Sequence, residues 1–116
     1  MPALESKDSQ FERNGITFHA SLVKLENAVV VLFYEGSSKL GTVAIAMPGI
    51  LEEKVGRSSV LLGGKYLMVS RALAERAAGS FGKLALVSVN TSIEEPEALR
   101  IYAKLLDDLK QPQVTG

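Results

Sequence analysis

The sequence predicts an α+β domain: a mostly antiparallel sheet of about five or six strands with two amphipathic helices on one face. Three observations predict it. Short runs of alternating or β-branched residues are bounded by turn residues. Two later segments are apolar along one helical stripe only. The order is strands, a helix, a strand and a helix, which fits helices covering one face of a mostly antiparallel sheet.

After a polar opening, residues 16–22 (Ile-Thr-Phe-His-Ala-Ser-Leu) alternate apolar and polar side chains, the period of a half-buried strand. Glu26-Asn27 makes a turn, and residues 28–34 (Ala-Val-Val-Val-Leu-Phe-Tyr) follow as a second strand. This run is short and β-branched, and it is apolar on both faces. Gly36-Ser37-Ser38-Lys39 is turn-like, so residues 41–47 are expected to return as the second arm of a hairpin. A charged connection over 50–57 leads to a short strand at 59–62 and then to Gly63-Gly64.

The first helix is expected over about 66–78, with Tyr66, Val69, Leu73 and Ala77 in one stripe and Gly79 and Gly82 bracketing its end. Residues 83–89 form a further strand, nearly apolar on both faces. The second helix is expected over about 95–110, burying Ala98, Ile101, Tyr102, Leu105 and Leu109. Pro96 suits the first helical position and makes Glu95 the cap residue. Ser92 and Glu95 have capping-box spacing as a competing start. Either way, Glu94, Glu95 and Glu97 put negative charge at the positive end of the helix.

The length, 116 residues, fits one domain over 1–116, with flexible ends at about 1–8 and 111–116. Thirteen basic residues balance thirteen acidic ones, so no long-range field steers nucleic acid or an anionic membrane. The absence of cysteine removes disulfides and thiolate chemistry. The opening residues are too polar for a signal peptide, and no apolar run approaches the roughly 20 residues that span a bilayer. A cytoplasmic location is expected.

Catalytic constellations are not apparent. His19 is the single histidine and lies beside Thr17 and Ser21 on the more polar face of its strand. One histidine and scattered carboxylates supply no metal-ligand spacing. Neither Ser59 nor Ser70 sits in a nucleophile elbow. The most ligand-like segment is Gly63-Gly64-Lys65, where backbone donors and a lysine offer an anion site between a strand and a helix. A tight turn explains the glycines more simply. The expectation is a non-enzymatic chain without cofactor or metal.

Two helices that are apolar on one side cover one sheet face. The other face is then left for a partner, and a second copy of the chain is the simplest one. Candidate interface residues on the doubly apolar strands are Val29, Val31, Phe33, Tyr34, Ala85 and Val87.

Three stretches together resemble the small proteasome assembly chaperones of the third and fourth types. The first runs from Val29-Val30-Val31-Leu32 to Lys39-Leu40-Gly41-Thr42-Val43. The second is Ser58-Ser59-Val60-Leu61-Leu62-Gly63, leading into Leu73-Ala74-Glu75-Arg76. The third is Leu84-Ala85-Leu86-Val87-Ser88-Val89-Asn90 with the final helix. The resemblance spans about 18–109 and rests on the order and spacing of the pieces. It implies an antiparallel sheet with helices packed against it, pairing as a homodimer or as a heterodimer with a related chaperone, and help in assembling the α-subunit ring of the 20S proteasome. Because one chain combines features of both types, it implies an archaeal-like member. Proteasome α-subunits are then the expected partners, with Ser37, Ser38, Lys39, Lys54 and Arg57 on polar loops as candidate contacts. A generic dimeric scaffold and a small ligand-binding or enzymatic domain using Gly63-Gly64-Lys65 are the alternatives.

Overall fold

A computed structural model describes residues 5–48, 57–62 and 65–110. In chain order the elements are β1 (Glu5–Arg13), β2 (Ile16–Lys24), β3 (Ala28–Glu35), β4 (Thr42–Met47), β5 (Arg57–Leu62), α1 (Leu67–Phe81), β6 (Leu84–Asn90) and α2 (Glu95–Lys110). The strands form one six-stranded sheet in the order β1-β2-β3-β6-β4-β5. All neighbours are antiparallel except β3 and β6, which run parallel.

The expected hairpin between residues 28–34 and 41–47 does not form. β6 lies between β3 and β4 and pairs with both. The chain leaves β5, crosses through α1 and returns as β6 on the far side of β4. β6, apolar on both faces, thereby takes a central position in the sheet.

β1 is a strand where a polar, partly flexible start was expected. It joins β2 through Asn14-Gly15, whose φ values of 52° and 80° are both left-handed, as a two-residue type I′ turn requires. β1 buries little and is held by individual contacts. Phe11 stacks on Phe18 with centroids 6.5 Å apart, and the Ser9 hydroxyl donates to the Leu105 carbonyl at 2.9 Å. Arg13 pairs with Glu97.

Both helices pack on one sheet face, α1 mainly over β4 and β6 and α2 over β1 and β2. That face supplies Phe18, Leu22, Val29, Val31, Phe33, Val87 and Val89 to the core, closed above by Val69, Leu73, Ala77, Tyr102 and Leu106. Tyr102 meets Phe18 and Phe33 edge-on, at 5.9 and 5.4 Å. Its hydroxyl is buried near Thr91, and burial raises its pKa well above the ordinary value.

The helix ends differ in detail from the sequence expectation. α1 continues through Gly79 and stops at Gly82, whose φ of 65° lets its N–H reach the Ala78 carbonyl at 2.8 Å. In α2 the Ala98 N–H donates to the Glu94 carbonyl, so Glu94 is the cap and Pro96 the second helical residue. A proline is harmless there, because the first four helical N–H groups have no intrahelical acceptor.

Candidate interaction surface

The open side of the sheet carries the residues that alternate with the core. Register places Val23, Val30 and Leu86 in one cross-strand row, and Ser21, Leu32, Ser88 and Val43 in another. With Ile45 and Leu84, the apolar members of these rows make an apolar centre, half-buried by their neighbours, and Ser88 among them is fully buried. Among the described residues no helix covers this face. Towards β1 it becomes polar: His19 stacks on Tyr34 at 4.8 Å, and the Ser21 hydroxyl donates to Asp8 at 2.6 Å.

This arrangement corrects the interface residues read from sequence. Val29, Val31, Phe33, Ala85 and Val87 are buried under the helices within one chain. They cannot meet a partner, because the core already occupies their surface. Of the six, Tyr34 alone lies on the open face. The residues one step along each strand, Val30, Leu32, Leu84 and Leu86, take the place assigned to the others. Alternation in a run apolar on both faces has a period but no phase.

Ser37, Ser38 and Lys39 are exposed in the β3–β4 connection, followed by Leu40 with 69% of its surface open to solvent. Gly41 anchors this loop, donating its N–H to the Ser88 hydroxyl at 2.9 Å. Arg57 opens β5, and Lys54 lies outside the described residues, as do Gly63 and Gly64.

Lys65 is exposed beside α1, and its carbonyl accepts from the Thr42 hydroxyl. The N-terminus of α1 already has a carboxylate: Glu95 accepts from the Val69 N–H at 3.1 Å. Tyr66, the cap residue, has a φ of 60° and no side-chain cap of its own. It donates instead to the Ile93 carbonyl at 2.7 Å. Burial, with the charges of Glu35 and Glu95 nearby, raises its pKa. Beside this point an open cleft of about 680 Å3 lies between the two helix starts, with Leu67, Met68, Glu94 and Pro96 in its walls.

Glu35, at the end of β3, organises the loop into α2. It accepts from the Thr91 hydroxyl, from the Ser92 N–H at 2.6 Å and from the Ser92 hydroxyl at 2.9 Å. Partial burial works against its ionisation, but the bonds from Ser92, Thr91 and Ile93 outweigh that and lower its pKa. The polar stretch 90–95 gave no sign of this contact in sequence, because the partner is 57 residues away. A second feature that sequence did not reveal is a groove of about 290 Å3 between β1 and α2.

Among the described residues no group of three or more side chains is placed to hold a metal ion. None of their helices is long and apolar enough to cross a membrane.

In fold, the chain is an α+β protein of a known kind. No protein-family model matches the sequence, and no curated protein matches it significantly. Among solved structures it is similar to a chain from a crystal structure of a novel chaperone complex for yeast 20S proteasome assembly. The TM-score is 0.65 at 20% identity, over 92% of this chain and 95% of that one. At identity this low the likeness shows a shared fold alone.

Proposed function

We propose that this chain is a non-catalytic chaperone that assists assembly of the proteasome α-subunit ring through reversible protein contacts. The observation that carries the proposal is an apolar sheet face, covered by no helix among the described residues, on a fold that matches, nearly end to end, a chain from a chaperone complex for proteasome assembly. Two copies, or this chain and a related one, join through that face, with Leu32, Leu86 and Ile45 near its centre and Tyr34 towards its polar side. The α-subunit docks on the exposed 36–41 connection, where Ser37, Ser38 and Lys39 supply polar contacts and Leu40 an apolar one. Lys54 and Arg57 are further contacts in the same proposal. An assembly factor must leave its product, which favours a modest interface over an obligate one. We place this work in the cytoplasm of an archaeal-like cell.

The anion-site alternative at Gly63-Gly64-Lys65 meets a rival within the chain, since Glu95 already accepts the donor at Val69.

Co-purification with recombinant α-subunits of the same organism, combined with a ring-assembly assay, tests the proposal. Wild-type protein is expected to bind α-subunits and speed ring formation. Lys39→Glu with Leu40→Asp is expected to abolish both while leaving the thermal melt unchanged. Wild-type protein that neither binds nor alters assembly overturns the reading.

A further inference from the structure

The groove between β1 and α2 plays no part in the proposed role, and its lining is chemically distinctive. Its exposed apolar side chain is Phe11 from the edge strand, over a floor of the buried Ile101 and Leu105 of the helix. Arg100 and Lys104 stand one helical turn apart along its wall. Both are exposed, and neither has an ion-pair partner among the described residues. Arg13 is neutralised by Glu97, so Arg100 and Lys104 stand against the single further carboxylate of Asp108. On a chain with zero formal charge this is a local excess of positive charge.

The groove also runs along a sheet edge. β1 pairs with β2 alone, so its outer side presents unpaired N–H and C=O groups among the described residues. Most of the strand follows the usual protective pattern for such an edge, with Glu5, Lys7, Asp8, Gln10 and Glu12 discouraging indiscriminate pairing. Phe11 departs from it: 40% of an aromatic side chain is left exposed at the edge, in the groove wall.

We propose that this groove receives an extended segment of a partner protein, which adds to β1 as a seventh strand. Side chains of an added strand alternate between faces. Those on the α2 side meet the exposed ring of Phe11, flanked by Arg100 and Lys104, and this selects an apolar residue between two carboxylates. Those on the other side meet Asp8, Gln10 and Glu12, which register with Ser21, His19 and Thr17 on the open face. There, basic or neutral residues are favoured and acidic ones repelled. The segment is therefore recognised by the order of its charges and not by its net charge. The inference rests on the groove alone and stands or falls separately from the ring-assembly role.

Two fluorescein-labelled heptapeptides of identical composition test it. In Thr-Glu-Lys-Leu-Lys-Glu-Thr the carboxylates share a strand face with leucine; in Thr-Lys-Glu-Leu-Glu-Lys-Thr the ammonium groups do. Fluorescence polarisation is expected to show the first binding roughly tenfold or more tighter, with the preference weakening in salt. Arg100→Glu with Lys104→Glu changes exposed residues, so the thermal melt stays at the wild-type value while the preference inverts. Hydrogen exchange is expected to slow at β1 amides when the first peptide is present. Equal affinity for the two peptides, saturation by neither, or a preference untouched in the folded double variant overturns the proposal.

Discussion

The carboxylate of Glu95, in the first turn of α2, accepts a hydrogen bond at 3.1 Å from the backbone N–H of Val69, in the first turn of α1. One helix thus caps the start of the other. The arrangement answers a local deficiency, because Tyr66 precedes α1 in a left-handed conformation and offers no side-chain acceptor. Glu95→Ala is expected to lower stability by about 1 kcal/mol, the usual cost of losing an N-cap acceptor. Glu95→Gln keeps an acceptor oxygen and is expected to recover most of that loss. Urea denaturation of the three proteins checks both; an alanine variant as stable as wild type would show that the contact contributes nothing.

Gly41 is required by space. A Cβ placed on it would lie 2.1 Å from the Val89 carbonyl oxygen and 2.7 Å from its carbon. Those atoms belong to β6, held between two neighbouring strands, and cannot move aside cheaply. Gly41→Ala is expected to cost about 1–3 kcal/mol, as overpacking does. The fall in melting temperature measures it. Because Gly41 also bonds to Ser88, the variant should disturb the Ser37–Lys39 loop and weaken α-subunit binding beyond the loss of stability.

Glu35 makes stability depend on pH in a definite direction. Its folded pKa lies below the ordinary value of 4.5, partial burial being outweighed by the bonds from Ser92, Thr91 and Ile93. The unfolded chain therefore binds the proton more readily. The stabilisation is complete above the ordinary value and is lost as pH falls through the lower, folded one. Asp107 acts in the same direction through its hydrogen bonds from Arg76, at 2.6 and 3.1 Å. Glu35→Gln is expected to be less stable than wild type at about pH 7, with the gap closing towards about pH 3. Urea midpoints of both proteins across that range decide it; a gap that widens in acid contradicts the assignment.

How much of this was legible in the sequence depended on whether the signal was local. α2 could be read over its length, though not to its cap residue, since Ala98, Ile101, Tyr102, Leu105 and Leu109 repeat at helical spacing and all are buried. β3 and β6 announced themselves as strands by apolar, β-branched runs. Their partners did not, because pairing was decided by the crossover through α1. Nor did their inward face, because Val29 and Val30 are equally good core residues. β1 was missed because a polar edge strand has no burial pattern, although Asn14-Gly15 marked its hairpin. The groove beside α2 was hidden for the same reason: recognising it required knowing that Phe11 lay on a strand. The Ser37–Lys39 loop was legible because turn residues identify themselves without a partner.

The open sheet face gives the sharpest division between surface and core, because Leu86 and Val87 are adjacent and point to opposite sides. Leu86 registers with Val30 on one flank and Ile45 on the other, at the centre of the apolar patch that no described helix covers. Val87 is buried completely beneath the helices. Wild-type protein is expected to sediment at about twice its 12.4 kDa at micromolar concentration. Leu86→Glu should sediment as a folded monomer, since its carboxylate stays in water in the single chain but would be desolvated without a partner in the pair. Val87→Ala should remain dimeric and lose about 2 kcal/mol of stability through the cavity it leaves. A dimer that survives Leu86→Glu would move the interface elsewhere. A wild-type monomer would mean that this face waits for a different partner.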